Sequence, residues 1–203
     1  TGAGVNDAPA VKEANIGVSM GQNGTDVTKE ASSVILLDDN FATLVSAVEE
    51  GRVIYRNIRK FIRYLLSCNI GEVVTMFLAM LMGMPVPLLP IQILLINLVT
   101  DGLPAIALGL DPPDSDVMTE KPRRSGDSIF SGGLLTVILF RGMLIGLTTI
   151  AVFSMLLTGG ASLQTARTGA LAALILTQLI HVFECKSERR TLLHIPFFNN
   201  LKL

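Results

Sequence analysis

Residues 97–104 place an acidic side chain, Asp101, inside an otherwise apolar run that extends over residues 88–110. A carboxylate at membrane depth costs about 2.5–3.5 kcal/mol on insertion scales, so it usually marks a functional site. We expect Gly102 and Pro104 to break the helix here, because proline lacks an N–H and clashes with the preceding turn. A break frees backbone carbonyls, which lipid tolerates only where protein or a cavity covers them. Carboxylate, amide, hydroxyl and carbonyl oxygens suit a hard cation, and the segment therefore predicts a cation site within a membrane.

The composition supports a membrane protein with a polar segment at its start. Of the 203 residues, 50% are hydrophobic and 16% are charged, and the net charge of −1 gives no reason to expect a nucleic-acid partner. Residues 1–63 have the pattern of a soluble α/β segment, whereas residues 64–184 are mostly apolar. Cys68 and Cys185 are too few for a disulfide framework and are predicted to be free thiols. The start is polar and Gly-rich without a secretory signal, so we expect the chain to begin inside a larger protein.

The first 58 residues alternate short helices and short apolar strands. The pattern predicts helices over 6–15 and 27–32 and strands over 16–20 and 34–37. Strands that alternate with helices favour a parallel sheet of the Rossmann type, of which this chain holds only the last portion. We expect domain 1–58 to end in a long helix that continues into a membrane domain over 59–203.

Four apolar segments are long enough to cross a bilayer, which requires roughly 20 helical residues. They cover about 62–83, 88–109, 131–157 and 163–184. Basic residues cluster before the first span, between the second and third, and after the fourth. The two connections on the other side of the membrane, between the first and second spans and between the third and fourth, contain a single basic residue, Arg167. The positive-inside rule then predicts that residues 1–60 and loop 111–130 are cytoplasmic.

Polar side chains on the first two spans form the candidate site. Asn69 and Glu72 are three residues apart, so one helical face presents both. Asn97 and Asp101 are four apart on the next span, and Thr100 adjoins them. Because a hairpin joins these helices, we expect the two faces to meet.

Each of these polar residues, considered alone, has a simpler explanation than cation binding. A lone asparagine in a membrane helix commonly bonds a neighbouring helix, and a lone threonine commonly bonds its own backbone. Glu72 and Asp101 are harder to explain, because each charge is costly without a cation or partner. A carboxyl pair that shares one proton remains an alternative to cation binding.

The first ten residues read Thr-Gly-Ala-Gly-Val-Asn-Asp-Ala-Pro-Ala. A Gly-rich loop that opens a helix can bring N–H groups to a phosphate, although its spacing alone equally fits a plain strand-to-helix turn. The sequence of these ten residues closely resembles the hinge motif of P-type ATPases, which lies in their haloacid-dehalogenase-like phosphorylation domain. The resemblance continues in family order through 24–27, 38–41, 49–52, 67–74 and 97–104. It covers nearly the whole chain and is greatest to the calcium-transporting group.

This resemblance implies that Asn6 and Asp7 support an aspartyl-phosphate. The family has a Mg²⁺-binding aspartate where this chain has Ala3, and a methyl group cannot replace that ligand. We therefore expect impaired phosphoryl transfer relative to an Ala3→Asp version. The phosphorylated motif Asp-Lys-Thr-Gly-Thr is absent from these residues, so the chain is not expected to hydrolyse ATP unaided.

The resemblance also distributes the membrane residues between two Ca²⁺ sites. It assigns four residues to the first: Asn69, Glu72, Thr100 and Asp101. Asn97 and Asp101 belong to the second, which in the family is completed by an earlier helix. Gln178 stands where two-ion pumps have glutamate; it is a weak ligand or an ordinary interhelical hydrogen bonder. We therefore expect one ion per cycle.

The fold class implied is mixed, with the end of an α/β haloacid-dehalogenase-like domain followed by an α-helical membrane bundle. The implied function is that of part of an ATP-driven Ca²⁺ pump that works through an aspartyl-phosphate. ATP and Mg²⁺ are the implied cofactors of the parent enzyme. Membrane lipid, Ca²⁺ and the remaining actuator, nucleotide-binding and membrane parts are the implied partners, in a bacterial plasma membrane or an organelle membrane. A pump for Mn²⁺ or another cation, or a non-catalytic scaffold, are the alternatives.

Three further groups receive no ion-binding role from the sequence. The loop over 111–116 resembles the family segment that couples the phosphorylation domain to the membrane helices, and its aspartates are not expected to bind ions. His181 and His194 are too far apart in sequence to predict a zinc site. Glu184 is expected to lie at the membrane interface.

Overall fold

The structure is a computed structural model that describes residues 1–113, 117–124 and 126–186. The chain separates into two compact units, one over Thr1–Arg52 and one that begins at Val53. The predicted domain boundary at residue 58 thus lies near the start of the second unit.

The first unit contains the predicted parallel strands. Strand β1 (Val18–Met20) pairs in parallel with β2 (Val34–Leu36), and Val18 lies opposite Val34. A parallel pair requires a crossover connection, which α2 (Asp26–Ala31) supplies. Helix α1 (Ala8–Glu13) precedes β1 and follows a 3₁₀ turn over Val5–Asp7. Gly2 adds a parallel bridge to Ser19, so the polypeptide before α1 runs beside β1.

Four candidate membrane spans confirm the predicted number, and the first of them begins before the start of the second unit. The described residues hold four helices that are long and apolar enough to cross a membrane. They are α3 (Phe41–Leu81), the composite Pro90–Gly109, α6 (Leu134–Thr158) and α7 (Leu163–Cys185). Helix α3 begins well before its apolar part, as its uninterrupted helical pattern predicts. Ser162 caps α7 by accepting a hydrogen bond from the Thr165 N–H.

The second span differs from the prediction at its centre. It consists of α4 (Pro90–Leu95), a π-helical segment over Ile96–Asp101, and α5 (Gly102–Gly109). The predicted break at Gly102 and Pro104 is wrong, because the helix continues through both residues. The wider π turn before Gly102 accommodates the proline instead, and such turns are frequent at functional sites.

Small residues allow α3 and α6 to approach closely. A Cβ at Gly142 would lie 2.5 Å from the Ile70 side chain, and one at Gly146 would lie 2.6 Å from Val74. The Thr75 hydroxyl lies 2.8 Å from the Gly71 carbonyl and 3.4 Å from that of Gly146. Close backbone approach through small residues is typical of membrane helices, where lipid provides no hydrophobic force between helices.

Two apolar clusters fill the second unit. The larger cluster includes Phe153 and Leu174, and the smaller one includes Tyr64, Leu108 and Val182. Large apolar side chains remain exposed on every span, among them Phe77, Leu98, Phe140 and Leu176. Exposed apolar faces on such helices fit a lipid environment.

Candidate cation site between the membrane helices

Glu72 is buried between three spans and accepts hydrogen bonds from two amide side chains. Asn97 Nδ2 lies 3.5 Å from its Oε2, and Gln178 Nε2 lies 3.3 Å from its Oε1. Gln178 is fully buried in α7, whereas Asn97 in the π-helical segment is exposed. The structure therefore brings together Glu72, Asn97 and Gln178, which the sequence placed on separate spans.

Asp101 ends the π-helical segment and is 1% exposed. The Tyr64 hydroxyl on α3 lies 3.4 Å from Asp101 Oδ1 and donates to the Thr100 carbonyl at 2.9 Å. In a regular helix that carbonyl would accept from the N–H of Pro104, which proline lacks. Proline thus frees an oxygen beside Asp101 without breaking the helix.

Three buried oxygens in this region have no hydrogen-bond partner. They are Asp101 Oδ2, Gln178 Oε1 and Ser67 Oγ. In the described part of the chain, Glu72 and Asp101 have no ion pair with a lysine, arginine or histidine. Buried carboxylates are normally paired or coordinate metals, because an isolated charge is expensive to remove from water. Two unpaired carboxylates with orphaned oxygens beside them match the needs of a hard divalent cation.

The other two predicted ligands, Asn69 and Thr100, differ in their relation to this group. Asn69 is exposed, and its amide donates to the Leu65 carbonyl of its own helix at 3.0 Å. Thr100 is half-buried and contributes its backbone carbonyl to the Tyr64 contact. The structure does not bring Asn69 into the hydrogen-bonded group around Glu72.

A different arrangement surrounds Asp111, just after α5. Its Oδ2 lies 2.7 Å from Lys60 Nζ, and both side chains are 4% exposed. Asn57 Nδ2 donates to the Asp111 carbonyl at 2.8 Å, which satisfies backbone at the end of α5. The other aspartates of the predicted coupling loop, Asp114 and Asp116, lie outside the described residues, as does His194.

The described residues contain no cluster of three or more His, Cys, Asp or Glu side chains arranged to hold a metal. The group around Glu72 and Asp101 also includes the buried Cys68 thiol, which interacts with Asp101. Its oxygens come from the two carboxylates, amides, a hydroxyl and a backbone carbonyl, and such oxygen donors suit Ca²⁺ or another hard cation.

The loop before α1 is organised by Asp7. Its Oδ2 accepts from the N–H groups of Ala3 at 3.0 Å and Gly4 at 2.9 Å. These two hydrogen bonds, first that from Gly4, lower the pKa of Asp7 below its ordinary value. Thr28 Oγ1 donates to the Gly4 carbonyl at 2.7 Å. Asn6 is exposed at the surface of the same loop.

Comparison with known proteins identifies the family. The model for "Cation transporting ATPase, C-terminus" matches residues 85–203, which is more than half of the chain. The chain belongs to the cation-transporting ATPase family. With its four candidate spans, this member is a multi-pass integral membrane protein.

Relatives named as calcium-transporting ATPases cover almost the whole chain. One from Bacillus subtilis is 57% identical over 200 residues, which are 98% of this chain and 22% of that protein. One from Bacillus cereus is 48% identical over 216 residues, which are 98% of this chain and 24% of that protein. One from Plasmodium falciparum is 54% identical over 153 residues, which are 75% of this chain and 12% of that protein. This family member thus spans at most about a quarter of these relatives.

Sequence reasoning missed Tyr64 and Ser67. Both lie on α3 within eight residues of Glu72, and the 64–72 spacing places Tyr64 about two turns away. Pro104 was the available signal for Tyr64, because it leaves the Thr100 carbonyl in need of another donor. Periodicity cannot identify that donor, since it lies on a different span.

Proposed function

We propose that this chain is the carboxy-terminal part of an ATP-driven pump that moves Ca²⁺ across a membrane through an aspartyl-phosphate cycle. The observation that carries the proposal is the pair of buried carboxylates, Glu72 and Asp101, that lacks a cationic partner in the described residues. The names of the relatives agree with Ca²⁺ as the cargo.

We assign residues 1–58 to the end of a haloacid-dehalogenase-like phosphorylation domain. The parallel pairing of β1 and β2 and the Gly-rich loop over 1–10 support this assignment. ATP would bind in other parts of the longer protein. In this arrangement residues 1–60 and loop 111–130 face the cytoplasm, as the basic residues that flank the spans on that side favour.

The amides around Glu72 have two uses in cation binding. Without a cation, the N–H groups of Asn97 and Gln178 stabilise the carboxylate. Rotation of either side-chain amide by about 180° exchanges the positions of its NH₂ group and its carbonyl oxygen, and the oxygen can then bind the ion. Asp101 provides the second charge, and its orphaned Oδ2 is available without breaking any hydrogen bond.

The neutral Gln178 favours one divalent cation per cycle, because α7 adds no charge toward a second ion. Glu72 on α3 and Asp101 on the π-helical segment provide two negative charges, which are enough for one Ca²⁺. Further carboxylates for a second buried Ca²⁺ would have to come from other helices of the longer protein, because uncompensated charge in a dry site is costly.

The loop over 1–10 does not fit the Mg²⁺ site that the family implies. Ala3 offers only a methyl group, and one carboxylate oxygen of Asp7 is engaged by the N–H groups of Ala3 and Gly4. We therefore expect phosphoryl transfer to be impaired. In the full-length protein, Ala3→Asp is expected to raise Mg²⁺-dependent phosphoenzyme formation from ATP severalfold or more. Equal rates for the two versions would contradict this expectation.

Equilibrium binding of ⁴⁵Ca²⁺ to the purified full-length protein tests the cargo without requiring phosphorylation. We expect saturable binding of about one ion per protein, with Mn²⁺ competing more weakly than Ca²⁺. A stoichiometry of two would contradict the single-ion proposal. Absence of Ca²⁺ binding together with saturable Mn²⁺ binding would contradict Ca²⁺ as the cargo.

A further inference from the structure

His181 on α7 is 3% exposed and has a contact on each side of its ring. Its Nδ1 lies 3.1 Å from Glu184 Oε2, and its Nε2 lies 3.5 Å from Cys185 Sγ. A carboxylate can only accept, so Nδ1 carries the hydrogen in the first contact. These contacts fix the plane of the imidazole ring.

The ring of His181 stacks on that of Tyr64. The two centroids are 6.1 Å apart and the planes are inclined by 30°. Glu184 is itself held by Arg141 of α6, whose Nη2 lies 3.2 Å from Glu184 Oε1. A continuous chain of contacts therefore leads from α6, through α7, to the tyrosine that touches the candidate cation site.

Tyr64 needs such support because its hydroxyl serves two oxygens of the π-helical segment. The hydroxyl lies 2.9 Å from the Thr100 carbonyl and 3.4 Å from Asp101 Oδ1. A tyrosine hydroxyl has one hydrogen, so a small rotation of the ring decides which oxygen is satisfied. A stacked neighbour of fixed orientation limits that rotation.

We propose that His181 is a positioning residue for the cation site, acting through Tyr64 on the Thr100 carbonyl and Asp101. The inference rests on the proposed function and adds a residue that touches neither carboxylate of the site. Loss of His181 frees the Tyr64 ring and leaves the Thr100 carbonyl without a fixed donor. The π-helical segment then presents Asp101 in a wider range of positions, and the cation binds more weakly.

A double-mutant cycle in the full-length protein separates this role from general packing. His181→Ala and Tyr64→Phe are each expected to weaken ⁴⁵Ca²⁺ binding by about three- to tenfold, the size of one hydrogen bond. The double variant should bind no more weakly than Tyr64→Phe alone, because His181 acts through the hydroxyl that Phe lacks. Additive losses, or no loss in His181→Ala, would overturn the inference.

Thr148→Ala is the matched control. Thr148 lines the same cavity of about 120 Å³ as His181, Arg141 and Glu184, but its hydroxyl bonds the Leu144 carbonyl of its own helix. Ca²⁺ affinity in this variant is expected to equal that of the wild type. A loss that matches His181→Ala would show that any truncation beside this cavity acts in the same way and would contradict a specific role of His181.

A spectroscopic measurement tests the same link without relying on Ca²⁺. With 3-fluorotyrosine incorporated at position 64 of the full-length protein, the ¹⁹F resonance is expected to shift and broaden in His181→Ala but not in Thr148→Ala. An unchanged resonance in His181→Ala would overturn the inference even if Ca²⁺ binds as proposed. If the resonance shifts in His181→Ala but the protein does not bind Ca²⁺, the contact between His181 and Tyr64 is supported and the proposed function is contradicted.

Discussion

Two buried aspartates ten residues apart, Asp101 and Asp111, are stabilised in opposite ways. Asp111 lies 2.7 Å from the Lys60 ammonium, and both partners are almost inaccessible to solvent. Asp101 has a tyrosine hydroxyl at 3.4 Å from one oxygen and no partner for the other. The two aspartates are therefore buried to nearly the same extent, but among the residues that the structure describes only Asp111 has a positively charged side chain beside it.

The difference distinguishes a structural acid from a candidate ligand. A buried ion pair is costly to break because its loss leaves an uncompensated charge. A buried acid without a counter-charge must obtain one from outside or bind a proton. The comparison thus predicts that Asp111 supports the fold, whereas Asp101 supports cation binding.

The largest expected effect tests the ligand side of the comparison. Asp101→Asn in the full-length protein removes a buried negative charge at the site and should weaken Ca²⁺ binding by about a thousandfold, or about 4 kcal/mol. Equilibrium ⁴⁵Ca²⁺ binding measures this loss. Because the buried charge has been removed, thermal stability without Ca²⁺ should stay the same or rise. Retained high-affinity binding would place the cation elsewhere.

Lys60→Met tests the structural side. It leaves Asp111 buried beside an apolar side chain and should lower the free energy of unfolding by about 3 kcal/mol. Thermal unfolding of the purified protein reports the loss, and Ca²⁺ affinity of the folded fraction should stay unchanged. Lys60→Met with Asp111→Leu removes both charges and should recover much of the stability. A double variant no more stable than the single would show that charge compensation is not the main role of Lys60.

Gln178→Ala tests how much the hydrogen bond from Gln178 to Glu72 contributes to cation binding. The change removes a neutral amide whose Nε2 lies 3.3 Å from Glu72 Oε1. We expect Ca²⁺ affinity to fall by about three- to tenfold, since one hydrogen bond contributes about 1 kcal/mol. A loss as large as that of Asp101→Asn would show that α7 contributes more than an amide.

Asp39 is stabilised in a third way, by hydrogen bonds from backbone N–H groups, and its replacement is expected to have the smallest effect. Asp39, at φ 50°, accepts from the N–H groups of Gly21 at 2.6 Å, Gln22 at 3.0 Å and Asn23 at 2.8 Å. Desolvation raises the pKa of Asp39, but these hydrogen bonds outweigh it and lower the pKa below its ordinary value of 3.8. Its stabilising contribution is therefore present above about pH 4 and is lost as the pH falls through the lowered pKa.

Asp39→Asn should accordingly reduce hydrogen-exchange protection of residues 21–23 at pH 5.5. Asparagine tolerates the positive φ, so the change tests charge rather than backbone strain. The difference from the wild type should shrink as the pH falls through the lowered pKa, where Asp39 itself becomes protonated. A difference that stays constant with pH would exclude the carboxylate charge as its cause.

The prediction of the helix break shows where sequence reasoning reached its limit. Pro104 correctly indicated a backbone carbonyl without its usual donor, and the apolar runs correctly indicated four spans. The proline did not end the helix, because a π turn over Ile96–Asp101 and a hydroxyl from α3 accommodate it. A donor on another helix cannot be found from local pattern.

Asn69 and Gln178 illustrate the same limit within the site. Asn69 shares a helix with Glu72 and was expected to join it, yet its amide bonds its own backbone. Gln178 was expected to be a weak ligand or an ordinary interhelical hydrogen bonder, and its amide hydrogen-bonds Glu72 on another helix. Helical spacing gives the face of one helix only, whereas the rotation and height of neighbouring helices decide which side chains meet.

The sequence alone determined the membrane spans, the acids Glu72 and Asp101 within them and the alanine at position 3, because hydropathy, charge and residue identity are local properties. The tertiary structure alone decided that Lys60 pairs with Asp111 and that Asp101 has no cation beside it. It also decided that His181 and Tyr64 stack. The two contacts join side chains that are 51 and 117 residues apart in sequence, brought together by the packing of separate helices.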